Sequence, residues 1–181
     1  GTATRNPRSG NTHKPRVGFL ENERAIHNSM GLNNDGIEAI AARVDEQLIR
    51  SHKKGLCVGV SVAETPGLTN ENEKIDDILD CFTQAYKVGD YIEINVSCPN
   101  TGENRLDLDT RFSETIFSEI MRLRNTLGVR KAVFAKLSPD LSLRGLQTLL
   151  DVISKYGVNG VVLGNTFPTS KMDVLPVKAT L

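Results

Sequence analysis

The sequence carries no net charge, since 22 Lys and Arg offset 22 Asp and Glu. That balance supplies no electrostatic reason for a nucleic-acid or membrane-surface partner. The basic residues Arg5, Arg8, Lys14 and Arg16 stand among Gly, Pro, Asn and Thr and read as a solvated loop, not a nucleic-acid arm. Cysteine is scarce: Cys57, Cys81 and Cys98 are odd in number and far apart. This pattern suits neither a disulfide framework nor a zinc site with close-paired ligands, and it favours a reducing compartment. Cys57 and Cys81 have apolar neighbours and are expected to pack in the core. His13, His27 and His52 show no metal-ligand or triad spacing. No apolar run approaches the ~20 residues a membrane-spanning helix needs, and no charged-then-apolar leader is visible. A chain that begins at Gly1 leaves open a targeting or anchoring segment before it.

What the sequence does have is a rhythm. Its 181 residues fall in the single-domain range. Residues 1–16, with Pro7 and Pro15, read as an extended loop. From Asp35 to about Ser51, Ile37, Ile40, Ala41, Val44 and Leu48 recur at helical intervals. Short strand-like runs then alternate with amphipathic helices: Leu56 to Val62, Lys74 to Lys87, Tyr91 to Val96, Ser113 to Leu127, Ala132 to Leu137, Leu143 to Tyr156 and Gly160 to Leu163. Such alternation predicts βαβ units and a parallel sheet, because each parallel pairing needs a long crossover. The runs Cys57 to Val60 and Val161 to Leu163 are apolar almost throughout, as strands covered on both faces should be.

A barrel and an open doubly wound sheet both fit this rhythm. The open nucleotide-binding sheet should carry a Gly-rich phosphate loop, and neither the dinucleotide nor the P-loop spacing occurs. Instead each strand runs into polar groups: Ser61; Asn95, Ser97 and Cys98; Lys136 and Ser138; Asn165 and Thr166. In a β/α-barrel such ends converge on one mouth, where the active site is built. The fold class is therefore α/β, part of a β/α (TIM) barrel.

The segment from Asn95 to Thr101 sets a thiol between carboxamides that can both donate and accept hydrogen bonds. It reads either as a ligand-facing loop, with Cys98 able to take a proton as thiolate, or as a turn whose polar groups satisfy backbone. Asn95-Val96-Ser97 also matches a glycosylation acceptor, against which its place at the end of an apolar strand argues. Lys136, inside Val133 to Leu137, needs an anion: a ligand at the mouth or an acid such as Asp140. Gly164 before Asn165-Thr166 marks either a close backbone approach to a ligand or a plain turn. Asn28 to Asn34, around Gly31, is either a helix-entry loop or a further set of ligand contacts.

In their order and spacing, Gly1 to Thr4 with Gly10-Asn11 and Pro15-Arg16, Asn28 to Leu32, Asn95 to Thr101, Lys136 to Leu141 and Asn165-Thr166 resemble the dihydroorotate dehydrogenase family. The resemblance spans nearly the whole chain. It implies FMN as cofactor and the oxidation of dihydroorotate to orotate in pyrimidine biosynthesis, with Cys98 as the base at carbon 5 while hydride leaves carbon 6 for flavin N5. Thr2, Ser61, Asn95, Lys136 and Gly164 would contact FMN. Asn28, Met30, Gly31, Leu32, Asn95, Asn100, Asn165 and Thr166 would hold the substrate. A related flavin-dependent pyrimidine reductase and a non-catalytic ligand-binding barrel are the alternatives.

The class signatures are mixed. Cys98 and Asn28 to Leu32 look like the soluble class 1 enzymes, whereas Gly1 to Thr4, Thr101 and Lys136 to Leu141 look like the membrane-associated class 2 enzymes, whose base is usually Ser. Ser61 stands where class 2 members carry a flavin-contacting Asn, and Gly164 where they carry Thr. Quinone, fumarate and NAD all stay open as electron acceptor, as do a homodimer and a cytoplasmic or peripheral-membrane location. By the resemblance, an early strand with a second substrate-facing Lys precedes Gly1 and two Gly-rich phosphate-gripping loops follow Leu181. The chain is accordingly expected to be a barrel portion, residues 1–181, that needs the rest of the barrel.

Overall fold

The computed structural model describes residues 1–20, 24–96, 110–139 and 141–166. A short antiparallel hairpin, β1 (Val17–Leu20) and β2 (Ala25–Asn28), precedes helix α1 (Ile37–Lys53). Strands β3 (Gly59–Val62), β4 (Tyr91–Asn95), β5 (Ala132–Leu137) and β6 (Gly160–Leu163) then alternate with helices α2 (Glu71–Val88), α3 (Thr110–Thr126) and α4 (Leu143–Lys155). These four strands form one parallel sheet in the order of the sequence.

The helices begin and end where local chemistry dictates. Asn70 caps α2 by accepting from the Asn72 and Glu73 N–H groups, with Glu71 and Glu73 in the first turn against the positive end of the helix dipole. Ser142 caps α4 through the Gly145 N–H, and Gly157, at φ 68°, supplies the left-handed residue just past its end.

Alternation along the strands creates two unlike faces. Val60, Val62, Ile92, Ile94, Val133, Ala135 and Leu137 point to one side, nearly sealed from solvent among Ile78, Phe82, Ile116, Phe117 and Ile120 of the helices. The opposite face carries Gly59, Ser61, Tyr91, Glu93, Asn95, Ala132, Phe134 and Lys136 in register. It is largely half-buried, and no described helix covers it. There the Tyr91 ring fills the space over Gly59, where a Cβ would overlap it, and meets Phe134 edge-on at 5.6 Å. Consecutive helices pack on one another along the covered side. Sequential strand order with one helical layer is barrel winding; a doubly wound sheet would reverse its order and cover both sides.

Two expectations fail here. Among the described residues the strands are covered on one face, not two: Val162, on the inner face beside Lys136, is half-buried, while Leu163, on the helical face in register with Leu137, is 75% exposed because no described helix follows β6 to cover it. Cys57 is exposed rather than in the core, since it lies in the connection between α1 and β3, before the strand enters the sheet. Cys81 is fully buried as expected, and burial together with nearby Asp77 and Asp80 pushes its thiol pKa upward.

At the amino-terminal end of the sheet, Asp90 accepts from the Val58 N–H at 2.7 Å and lies 2.9 Å from His52 Nε2. The Val58 bond, then the His52 bond, hold its carboxyl below the ordinary carboxylate range. The folded chain therefore binds this proton more weakly than the unfolded chain does. The resulting stability is fully present above the unfolded pKa, about 4, and is lost as pH falls through the lower folded value. Urea midpoints measured from pH 6 downward should accordingly drop further below about pH 4 in the wild type than in Asp90→Asn.

Candidate functional site

Because β3 to β6 run parallel, their carboxyl ends share one side of the sheet. Asn95 closes β4 at 6% exposure, and Lys136 of β5 is its register partner. Lys136 is half-buried, and no described residue bonds to its ammonium group. Ser61 lies one strand over on the same face, in register with Glu93.

The amino-terminal segment brings in Thr2. Ala3 pairs parallel with Val62 through Ala3 N–H to Ser61 O at 2.8 Å and Ala63 N–H to Ala3 O at 2.9 Å, which extends the sheet past β3. Thr2 Oγ1 then lies 2.9 Å from Ser61 Oγ and accepts from Asn95 Nδ2 at 2.9 Å. Ser61 Oγ donates to Glu93 Oε1 at 2.7 Å.

Asn34 fixes this segment against the start of α1. Its Nδ2 donates to Thr4 Oγ1 and Leu32 O, while its Oδ1 accepts from Gly36 N–H at 2.9 Å and Thr4 N–H at 3.2 Å. Asn28 to Leu32 is held from the other side: Asn11 N–H donates to Met30 O, and Asn11 Nδ2 to Ser29. Gly31, at φ 72°, is required there, since a Cβ would meet Asn11 Oδ1 at 2.5 Å.

The structure thus joins Thr2, Ser61, Asn95 and Lys136, all expected from the resemblance. It keeps Asn28, at the end of β2 in register with Val17, and Met30, Gly31 and Leu32 after it on a separate segment whose bonds run to residues 11, 16 and 34. Gly164 follows β6 with φ 112° and an exposed backbone. Asn165 Oδ1 accepts the Thr166 N–H at 2.9 Å. Cys98, Asn100 and Asp140 lie outside the described residues. A cleft of about 530 Å³ follows the Ala3 edge of the sheet, lined by Thr2, Arg8, Asn34, Arg43 and Ser61 but not by Asn95 or Lys136.

Glu93 and Glu64 were missed from the sequence. Glu93 had a signal, an acid alternating with Ile92 and Ile94 in step with Asn95; Glu64, buried at 7% exposure after β3, had none beyond its place at a strand end. No group of metal ligands occurs among the described residues. The ammonium and carboxamide donors suit a heteroaromatic ring with an anionic edge, and the Gly164 backbone permits close approach. Replacing Asn34 by Ala strands the Thr4 and Gly36 N–H groups and should cost about 2–4 kcal/mol in urea unfolding.

The Dihydroorotate dehydrogenase family model matches residues 1–180. The chain is 31% identical over 170 residues to the dihydroorotate dehydrogenase (quinone) of Polynucleobacter asymbioticus, covering 92% of this chain and 48% of that protein. To the protein of the same name from Coxiella burnetii it is 34% identical over 171 residues, covering 92% and 47%. A crystal structure of DHODH from Eimeria tenella, in complex with ferulenol, superposes with a TM-score of 0.81 at 26% identity, over 94% of this chain and 50% of that one. The chain spans about half the length of the curated relatives it matches.

Proposed function

The chain belongs to the dihydroorotate dehydrogenase family, and from that premise we propose that its strand-end cluster serves FMN-dependent oxidation of dihydroorotate to orotate in pyrimidine biosynthesis. The observation that carries this reading is the cluster itself: Thr2, Ser61 and Asn95 joined by hydrogen bonds, with Lys136 beside Asn95 and unmatched by any described acid. FMN, when bound, supplies the acceptor for the hydride leaving carbon 6 of the substrate. Lys136 holds a fixed positive charge for the pyrimidine edge of that ring, where charge develops. Thr2, Ser61, Asn95 and the Gly164 backbone orient the cofactor.

Cys98 takes the proton from carbon 5 as thiolate, so that proton and hydride leave adjacent carbons and a double bond forms between them. Asn28, the backbone of Met30, Gly31 and Leu32, and Asn95, Asn100, Asn165 and Thr166 hold the substrate. Of the oxidants left open by the sequence, quinone is the proposed one, because relatives bearing that acceptor in their names match across 92% of the chain. No helix among the described residues is long and apolar enough to cross a membrane.

In the full-length protein, Cys98→Ala should slow flavin reduction by dihydroorotate by about 10²–10⁴-fold in stopped-flow absorbance. Unchanged reduction would remove Cys98 from the mechanism, and orotate binding without any reduction would mark a non-catalytic barrel.

The inner face of the sheet lacks a covering layer among the described residues. We therefore propose that residues 1–181 work as one portion of the FMN-binding barrel. This chain alone should bind FMN weakly, with no stoichiometric break in a fluorescence titration, whereas tight binding with turnover would refute the proposal.

A further inference from the structure

Glu93 belongs to none of the expected contacts, yet it ends the chain of hydrogen bonds that runs through all three hydroxyl and carboxamide groups of the cluster. A carboxylate can only accept. Ser61 must therefore spend its single hydroxyl proton on Glu93 Oε1, at 2.7 Å. Ser61 Oγ is left to accept, so the contact of 2.9 Å with Thr2 Oγ1 takes the proton of Thr2. Thr2 in turn can only accept from Asn95, which must present Nδ2 to it, at 2.9 Å, and turn Oδ1 the other way. The hydroxyls alone would permit either direction of this chain and hence either orientation of the carboxamide. The carboxylate removes that ambiguity.

We propose that Glu93 is a positioning residue that sets the proton order through Ser61 and Thr2, and so which end of the Asn95 carboxamide is presented to Thr2. The ligand class rests on the function proposed above; the orientation itself does not. The site is built on rigid parts. Glu93 and Asn95 are two residues apart on β4, Ser61 is the register partner of Glu93 on β3, and Thr2 is pinned by the Ala3 pairing. Each link is fixed by backbone hydrogen bonds, so the proton order, not side-chain mobility, is what Glu93 controls.

Glu93→Gln tests this with almost no change in size. An amide can donate as well as accept, which lets the chain reverse and the carboxamide turn over. In the full-length protein labelled with ¹⁵N at Asn side chains, the Asn95 amide protons should shift and exchange faster in Glu93→Gln and in Ser61→Ala, and recover in Ser61→Thr. Orotate and FMN dissociation constants should each rise about tenfold in either single variant, the size expected for one misdirected hydrogen bond. The double variant should stay at about tenfold, since both changes break one chain. Losses that multiply to about a hundredfold, or Asn95 amide protons indifferent to Glu93→Gln, would overturn the proposal. If the wild type bound neither ligand while the Asn95 protons still responded, the functional assignment would fall and the role of Glu93 would stand. Thermal melts of each variant separate these outcomes from loss of fold.

Discussion

Parallel pairing in sequence order is the constraint from which the rest of the molecule follows. Each of β3 to β6 must be reached by a helix that returns the chain to the same end, so all carboxyl ends emerge together and all helices collect on one side. Asn95 and Lys136 become neighbours only because β4 and β5 pair with that register. A slip of β5 by one residue would turn Lys136 into the helical layer and bring Ala135 to the inner face in its place.

The two faces of the sheet divide the work. One is a hydrocarbon surface of Val, Ile, Leu and Ala packed against α2 and α3, and it holds the register in place. The other alternates small, aromatic and polar residues, with Gly59 and Gly160 leaving room for the rings of Tyr91 and Phe134. Polar residues are tolerated there because each described one with a fixed place has a partner: Ser61 with Glu93, Thr2 with Ser61, Asn95 with Thr2. Lys136 departs from this rule among the described residues, and it is the residue to which the anionic partner is assigned.

The amino-terminal segment shows how much a single edge pairing can carry. Ala3 adds to the sheet beside β3, Thr4 binds Asn34, and Asn34 closes on Gly36 at the start of α1. By this route a loop with little regular structure places the Thr2 hydroxyl within 2.9 Å of two strands.

Alternating hydrophobic periods determined, without coordinates, that strands and helices succeed one another in parallel βαβ order, and the helix limits fall within a few residues of where the periodicity puts them. The family was legible in the motifs, and the polar strand ends in the residue types. The exposure of Cys57 was not legible, nor was the one-sided cover of the sheet, because a short apolar run looks the same whether one face or two is packed. The β1–β2 hairpin went unread, its strands of four residues being too short to show alternation. Glu93 was passed over for a related reason: its meaning depends on Ser61, 32 residues away, and on Thr2 beyond that. Sequence fixes what each residue can donate or accept, but which groups meet, and so which way the protons point along their chain, is settled by strand register and edge pairing.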